Sequence, residues 1–166
     1  MILKEKILFS KEECQSIMWN CNNKITEWNL LDRKYESYQI DYNENTKWIF
    51  DKLKNFFEIE TNLKIKKLKE KIHFHKFVKG DWFEKHNDIR DKRLYAIGVL
   101  LNETFEGGDF KLYNTDEYIL NKETGNAYIF DVKIEHEITQ ILDGERYSLL
   151  WFLQNDNIKT EKNKLL

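Results

Sequence analysis

The chain has 166 residues, no proline and six glycines, with 41% apolar and 14% aromatic side chains and 27 basic against 29 acidic groups, a net charge of −2. That size fits one domain with a sizeable core, and the balanced charge excludes a strongly basic nucleic-acid binder and a polyanionic tail protein. No run approaches the ~18 apolar residues of a membrane helix, the start Met1-Ile2-Leu3-Lys4-Glu5 lacks the apolar stretch of a signal peptide, and two cysteines, Cys14 and Cys21, exclude a disulfide scaffold. The expectation is a single-domain cytoplasmic protein.

In chain order, Ser10-Lys11-Glu12-Glu13 is a capping box, serine at the N-cap and glutamate three residues on. Cys14, Ile17, Met18 and Cys21 follow at helical spacing, which makes the cysteines two buried thiols two turns apart. Residues 27–42 are mixed and have room for strands around Trp28, Leu30, Tyr35, Tyr38 and Ile40. Residues 45–57 read as a helix whose apolar stripe is Trp48, Ile49, Leu53, Phe56 and Phe57.

No glycine precedes Gly80, and the pattern changes near Lys67. Residues 72–77 alternate as a strand, and 93–101 are apolar on both faces, which predicts a short buried strand. Further short strands are predicted at 109–113, 118–120, 126–131, 134–142 and 146–153. Strands this short, with turn signals every 8–12 residues or so, point to a sandwich or barrel. The polar tail 155–166 is expected to fray.

The four histidines are His73, His75, His86 and His136. In an extended segment residues i and i+2 share a face, so His86 and Asp88 can reach one ion. With His136 from a second alternating segment they make two imidazoles and a carboxylate. That set suits non-haem Fe(II) with open positions for a bidentate cosubstrate and dioxygen, or zinc with a water. The competing reading of the His-x-Asp pair is a surface histidine beside an unrelated aspartate, since short motifs recur by chance. Arg146 follows His136 by ten residues with the tight-turn signal Asp143-Gly144 between them. About that turn the two are offset by about five positions, ~16 Å along the strand direction. An extended arginine and a small dicarboxylate laid end to end span much of that gap, and the guanidinium fork suits a carboxylate. Tyr147, Leu149, Leu150 and Trp151 place Arg146 at the start of a buried strand rather than in a surface ion pair.

Phe77, Gly80 and Phe83 leading into His86-Asn87-Asp88 resemble the first metal motif of the 2-oxoglutarate- and Fe(II)-dependent oxygenases, in particular the prolyl 4-hydroxylase-like branch. Leu100-Leu101-Asn102, then Phe105-Glu106-Gly107-Gly108-Asp109-Phe110, resemble that family's apolar strand and glycine-glycine-acid turn. Gly125-Asn126-Ala127-Tyr128-Ile129-Phe130 with His136-Glu137-Ile138 is similar to the strand and distal histidine. Gly144-Glu145-Arg146-Tyr147-Ser148 with Trp151 is similar to the cosubstrate strand, and Ser10 to Cys14 to the start of the N-terminal helix. The match runs in order over about residues 72–153.

The resemblance implies a mainly β (α+β) fold, a double-stranded β-helix (jelly roll, cupin-like) with N-terminal helices on one sheet. Residues 1–66 would be helical support, 67–154 the β-helix core and 155–166 the tail. It implies His86, Asp88 and His136 on Fe(II), Arg146 on the distal carboxylate of 2-oxoglutarate, and Ser148 as a second donor to it. The implied activity is that of a dioxygenase, turning 2-oxoglutarate to succinate and CO2 while hydroxylating an unactivated C–H. A peptidyl proline is the first substrate by analogy; a free amino acid, a small metabolite or another side chain are the alternatives. Many relatives carry tyrosines where this chain has Phe77 and Leu100, and neither of these donates a hydrogen bond. Tyr95 and Tyr128 are the candidates to replace them, and the loss favours a second class, a non-catalytic cupin-like metal- or ligand-binding protein.

His73 and His75 share a face and read as plain strand histidines, substrate contacts or a competing zinc site. Arg93 points to substrate or to solvent. Trp82 and Trp151 read as core, Trp82 with the option of lining the cavity mouth. Lys64, Lys66, Lys67, Lys69 and Lys71 form a solvated basic run. The expected partner is a peptide or small-molecule substrate, with no phosphate track for nucleic acid and no membrane; monomer and homodimer fit equally.

Overall fold

The computed structural model describes residues 3–24, 26–30, 33–68, 70–90 and 92–159. In order these form β1 (Leu3–Ile7), α1 (Lys11–Asn22), β2 (Thr26–Leu30), β3 (Arg33–Ile40), α2 (Lys47–Thr61), β4 (Lys64–Ile65), β5 (Ile72–Phe77), β6 (Trp82–His86), β7 (Arg93–Leu100), β8 (Phe105–Gly107), β9 (Phe110–Tyr113), β10 (Glu117–Ile119), β11 (Asn126–Asp131), β12 (Glu135–Ile138), β13 (Ile141–Gly144), β14 (Arg146–Gln154) and β15 (Ile158–Lys159).

Alternation along the strands sorts side chains to two faces and so builds two layers of core. The major sheet runs β1-β11-β7-β14-β5-β3, and the minor sheet β6-β12-β9-β10. β3 belongs to both, since Glu36–Ile40 pair with β5 while Arg33 and Lys34 pair with β6. Between the sheets lie Phe77, Ala96, Phe110, Leu112, Phe130, Ile138 and Phe152. On the outer face of the major sheet Ile72, Phe74, Ile97, Val99, Leu149 and Trp151 meet the helices. β7 is covered on both faces, which is why its sequence is apolar on both. This is the double-stranded β-helix the sequence resemblance implied.

The capping box of α1 is formed reciprocally. Glu13 N–H donates to Ser10 Oγ at 3.1 Å and Ser10 N–H to Glu13 Oε1 at 2.9 Å. Cys14 and Cys21 are buried free thiols on α1; burial pushes them up to about 12 and about 11. α2 runs past the expected 57 to Thr61 and stops where Asn62 turns left-handed (φ 58°). Its buried stripe is Ile49, Phe50, Leu53, Phe56 and Phe57. Trp48, expected in that stripe, sits at the exposed edge against Phe9 instead.

Three other expectations change. The strand predicted at 134–142 is two, because Thr139 and Gln140 leave the ladder: β12 pairs with β6 and β9, β13 with β8. Asp143-Gly144 is therefore no hairpin turn. Gly144, at φ +76°, passes the chain from β13, which with β8 forms a separate two-stranded sheet, to β14 of the major sheet. The tail is ordered as far as it is described: Asn155–Asn157 form a 3-10 turn, Asn157 and Ile158 are buried, and Ile158 pairs with Ile65 of β4; residues 160–166 lie outside the described residues. Of the basic run, Lys64 pairs with Glu58 and Lys71 with Asp41; Lys69 lies outside the described residues. Among the described residues no helix is long and apolar enough to cross a membrane.

Candidate metal and cosubstrate site

The minor sheet brings the histidines together by register. β6 and β12 are antiparallel and His86 stands opposite His136, so directly paired side chains lie on one face within reach of one ion. The chain then leaves β6, and Asp88 is fixed by its N–H donating to Val132 O at 3.0 Å. His136 Nε2 lies 3.2 Å from Asp88 Oδ2 and His86 Nε2 3.5 Å from Asp88 Oδ1.

Both rings are held the same way. His86 Nδ1 sits 2.6 Å from Glu84 O and His136 Nδ1 3.0 Å from Ile134 O. A carbonyl only accepts, so it assigns a proton to Nδ1 and leaves Nε2 of each ring facing Asp88, as the nitrogen that would ligate a cation. Phe83 stacks on His86 at 4.0 Å, and Phe110 and Phe130 flank His136 at 5.4 and 4.9 Å. Burial would raise the Asp88 carboxyl, but the neighbouring His136 and His86 outweigh it and hold the group well below the usual carboxylate range. Oδ2 of Asp88 is buried, and among the described residues no donor is aligned to it. Two lone pairs and a charged, unsatisfied oxygen on one side of a point fit a divalent cation, and the mixed N/O donor set fits Fe(II).

Behind this cluster is Arg146, 2% exposed. Its Nε donates to Gly108 O at 3.1 Å and Nη1 to Ser148 Oγ at 3.0 Å. Burial pushes the guanidinium down, with Tyr128 and Asp109 acting the other way. It makes no ion pair among the described residues; Asp109 pairs instead with Lys122 at 2.9 Å. A buried cation without a carboxylate is an arrangement that a bound anion relieves.

A cavity of about 260 Å³ opens over the histidines and Asp88. Tyr128 and Ser148 line it, while Arg146 borders a small adjoining chamber that Tyr128 also lines. Tyr128 and Ser148 thus stand between Arg146 and the cavity. Tyr95, expected as a possible replacement donor, is not there. It shares a face with Ile97 and Val99 and packs on Phe57 of α2 at 5.5 Å. His73, His75 and Arg93 do reach the cavity. Burial and the Arg93 guanidinium hold His73 below its usual value against Asp88, and Arg93 stacks on Phe152 at 3.7 Å. Trp151 is core, whereas Trp82 lies half-buried on the outer side of the minor sheet. Sequence reasoning missed Tyr35, Ser37 and Gln39, which line the cavity from β3. Their i, i+2, i+4 spacing was the available signal.

The profile of the 2OG-Fe(II) oxygenase superfamily matches residues 72–154. Among solved structures, a Pseudomonas putida prolyl-4-hydroxylase is similar at 18% identity, covering 92% of each chain with a TM-score of 0.75. A viral collagen prolyl hydroxylase from Paramecium Bursaria Chlorella virus-1, in complex with 2OG, is similar at 17% identity over 92% of this chain and 95% of that one, TM-score 0.75. A Trichoplax adhaerens prolyl hydroxylase in complex with a hypoxia inducible factor peptide fragment is similar at 16% identity over 93% and 84%, TM-score 0.76. No curated protein matches the sequence.

Proposed function

The chain belongs to the 2OG-Fe(II) oxygenase superfamily, which uses Fe(II), 2-oxoglutarate and dioxygen, and on that footing we propose that it hydroxylates an unactivated C–H of a substrate held over the His86–Asp88–His136 cluster, a peptidyl proline being the first to test. The observation that carries this reading is the pairing of a metal-fitting triad with a buried guanidinium that pairs with no carboxylate among the described residues.

His86, Asp88 and His136 would hold Fe(II), with Nδ1 of each histidine anchored so that no reorientation is needed. Fe(II), 2-oxoglutarate and dioxygen together supply the oxidation, which yields succinate, CO2 and a hydroxylated substrate. Arg146 takes the distal carboxylate. Gly108 O and Ser148 Oγ fix the guanidinium from two sides, and the Ser148 hydroxyl, accepting from Arg146, keeps its own proton to donate. Phe83, Phe110, Ile138, Leu150 and Phe152 wall the cavity and exclude water from the reacting centre. The prolyl hydroxylases among the structural neighbours, one with a peptide bound, support peptide as the substrate class.

Anaerobic loading with Fe(II) and 2-oxoglutarate, followed by oxygen and a panel of proline peptides and free amino acids, tests the proposal. Succinate formed together with a hydroxylated product is expected. A protein that binds both cofactors yet yields no succinate, coupled or uncoupled, is the non-catalytic binding protein instead. Hydroxylation confined to the free amino acids replaces the peptide as substrate.

A further inference from the structure

Gly98 is the one glycine whose backbone conformation does not call for glycine. The other five have φ between 59° and 90°, whereas Gly98 lies inside β7 in the range open to any residue. A glycine inside a strand weakens it and marks a close approach by something else. Here the approaching group is Tyr128. A Cβ at Gly98 would stand 2.1 Å from its Cζ, 2.2 Å from Cε2 and 2.3 Å from its hydroxyl oxygen.

The register explains the contact. Gly98 is opposite Tyr128 of β11 on one side and Leu150 of β14 on the other. The phenol ring of Tyr128 is therefore laid over the β7 backbone. Arg146 and Ser148 are carried by β14, two strands from β11, or ~10 Å at the usual strand spacing. A tyrosine on β11 covers that gap only by crossing β7 flat, and a methyl group at position 98 blocks the crossing. Tyr128 is 3% exposed and borders both the cavity and the chamber that holds Arg146. Burial raises its phenol, and the Arg146 guanidinium, by charge and hydrogen bonding, acts against that rise.

We propose that Gly98 is a positioning residue for 2-oxoglutarate binding: the empty space over β7 seats the Tyr128 ring so that its hydroxyl stands beside Arg146 and donates to the cosubstrate carboxylate. This rests on Arg146 as the carboxylate anchor. It replaces, from β11, the donor that Phe77 and Leu100 do not provide.

The test is calorimetric titration of 2-oxoglutarate into the Mn(II)-loaded protein. Gly98→Ala is expected to weaken binding about tenfold or more, the worth of a hydrogen bond to a charged group, with Mn(II) affinity unchanged. Tyr128→Phe keeps the ring and removes only the hydroxyl, and is expected to lose as much. In a Tyr128→Val background, which has no ring to displace, Gly98→Ala should cost nothing further. Unchanged cosubstrate affinity in Gly98→Ala or in Tyr128→Phe overturns the proposal, as does a full additional loss in the Tyr128→Val background. If Gly98→Ala does not fold, Tyr128→Phe decides alone. Arg146→Ala separates the two readings: no loss there removes the anchor itself, while loss there without loss in the other variants removes only the role of Gly98 and Tyr128.

Discussion

His136 is tied down at every edge. Its Nδ1 faces Ile134 O, its ring sits between Phe110 and Phe130, and its Nε2 faces Asp88. A ligand so restrained binds with little reorganisation, and its loss leaves one imidazole and one carboxylate. His136→Ala is expected to reduce iron retained after anaerobic gel filtration by tenfold or more, with little change in secondary structure; full occupancy would remove His136 from the ligand set. The His86-x-Asp88 spacing was legible as a local motif, although Asp88 lies just past the end of β6 and is held by Val132 O rather than by the strand; the place of His136 opposite His86 is a matter of register. The choice between Tyr95 and Tyr128 was not legible. Both lie in apolar strands, and which face becomes the cavity depends on where the helices land. Residues 95, 97 and 99 fall under α2, while 128 and 130 fall inside. The register shift opposite Leu153 and Gln154 then carries Arg93 to the cavity side, and no local sequence signal marks it.

At the scale of elements, α1 is fastened at its start by Ser10 and Glu13 and docked onto α2 through Lys52, whose Nζ lies 2.7 Å from Glu13 Oε1. Burial opposes ionisation of Glu13, but Lys52 and Ser10 outweigh it and lower the carboxyl below its ordinary 4.5. A carboxyl depressed by folding stabilises fully above its unfolded value, and that stability is lost as pH falls through the folded value. Ser10→Ala should cost about 1 kcal/mol near neutral pH. Glu13→Gln keeps the reciprocal cap but not the charge, so its deficit in thermal stability should be present at pH 7 and fade toward pH 3; a deficit that persists unchanged in acid would mean the ion pair contributes nothing. This helix start was readable because capping is local. The break of 134–142 into β12 and β13 was not, because it reflects which sheet each half pairs with. Trp48 left its stripe for a similar reason: the core, and not the helical period, decides how wide the buried face is.

For the molecule as a whole, ladders join segments far apart in sequence. β1 pairs with β11, and β14 with both β5 and β7, a topology that folds slowly. The two sheets also divide the work of the site. His86 and His136 sit on β6 and β12 of the minor sheet, whereas Tyr128, Arg146 and Ser148 come from β11 and β14 of the major sheet. β1 is the outer strand of that major sheet and holds β11 in place. Leu3–Ile7 pair with Asn126–Phe130, with Glu5 opposite Tyr128. The Glu5 carboxylate accepts from Asn121 N–H and Asn126 Nδ2, each at 2.8 Å, and from the Tyr118 hydroxyl. Removing residues 1–7 turns β11 into an exposed edge and frees the segment that carries Tyr128. The truncated protein is expected to melt at lower temperature, to aggregate more readily, and to bind 2-oxoglutarate severalfold more weakly while keeping its metal affinity, because neither β6 nor β12 pairs with β1. Thermal melts and separate titrations of Mn(II) and 2-oxoglutarate check this. Equal losses of both ligands would mean that the sheets yield together, through the strand they share, β3.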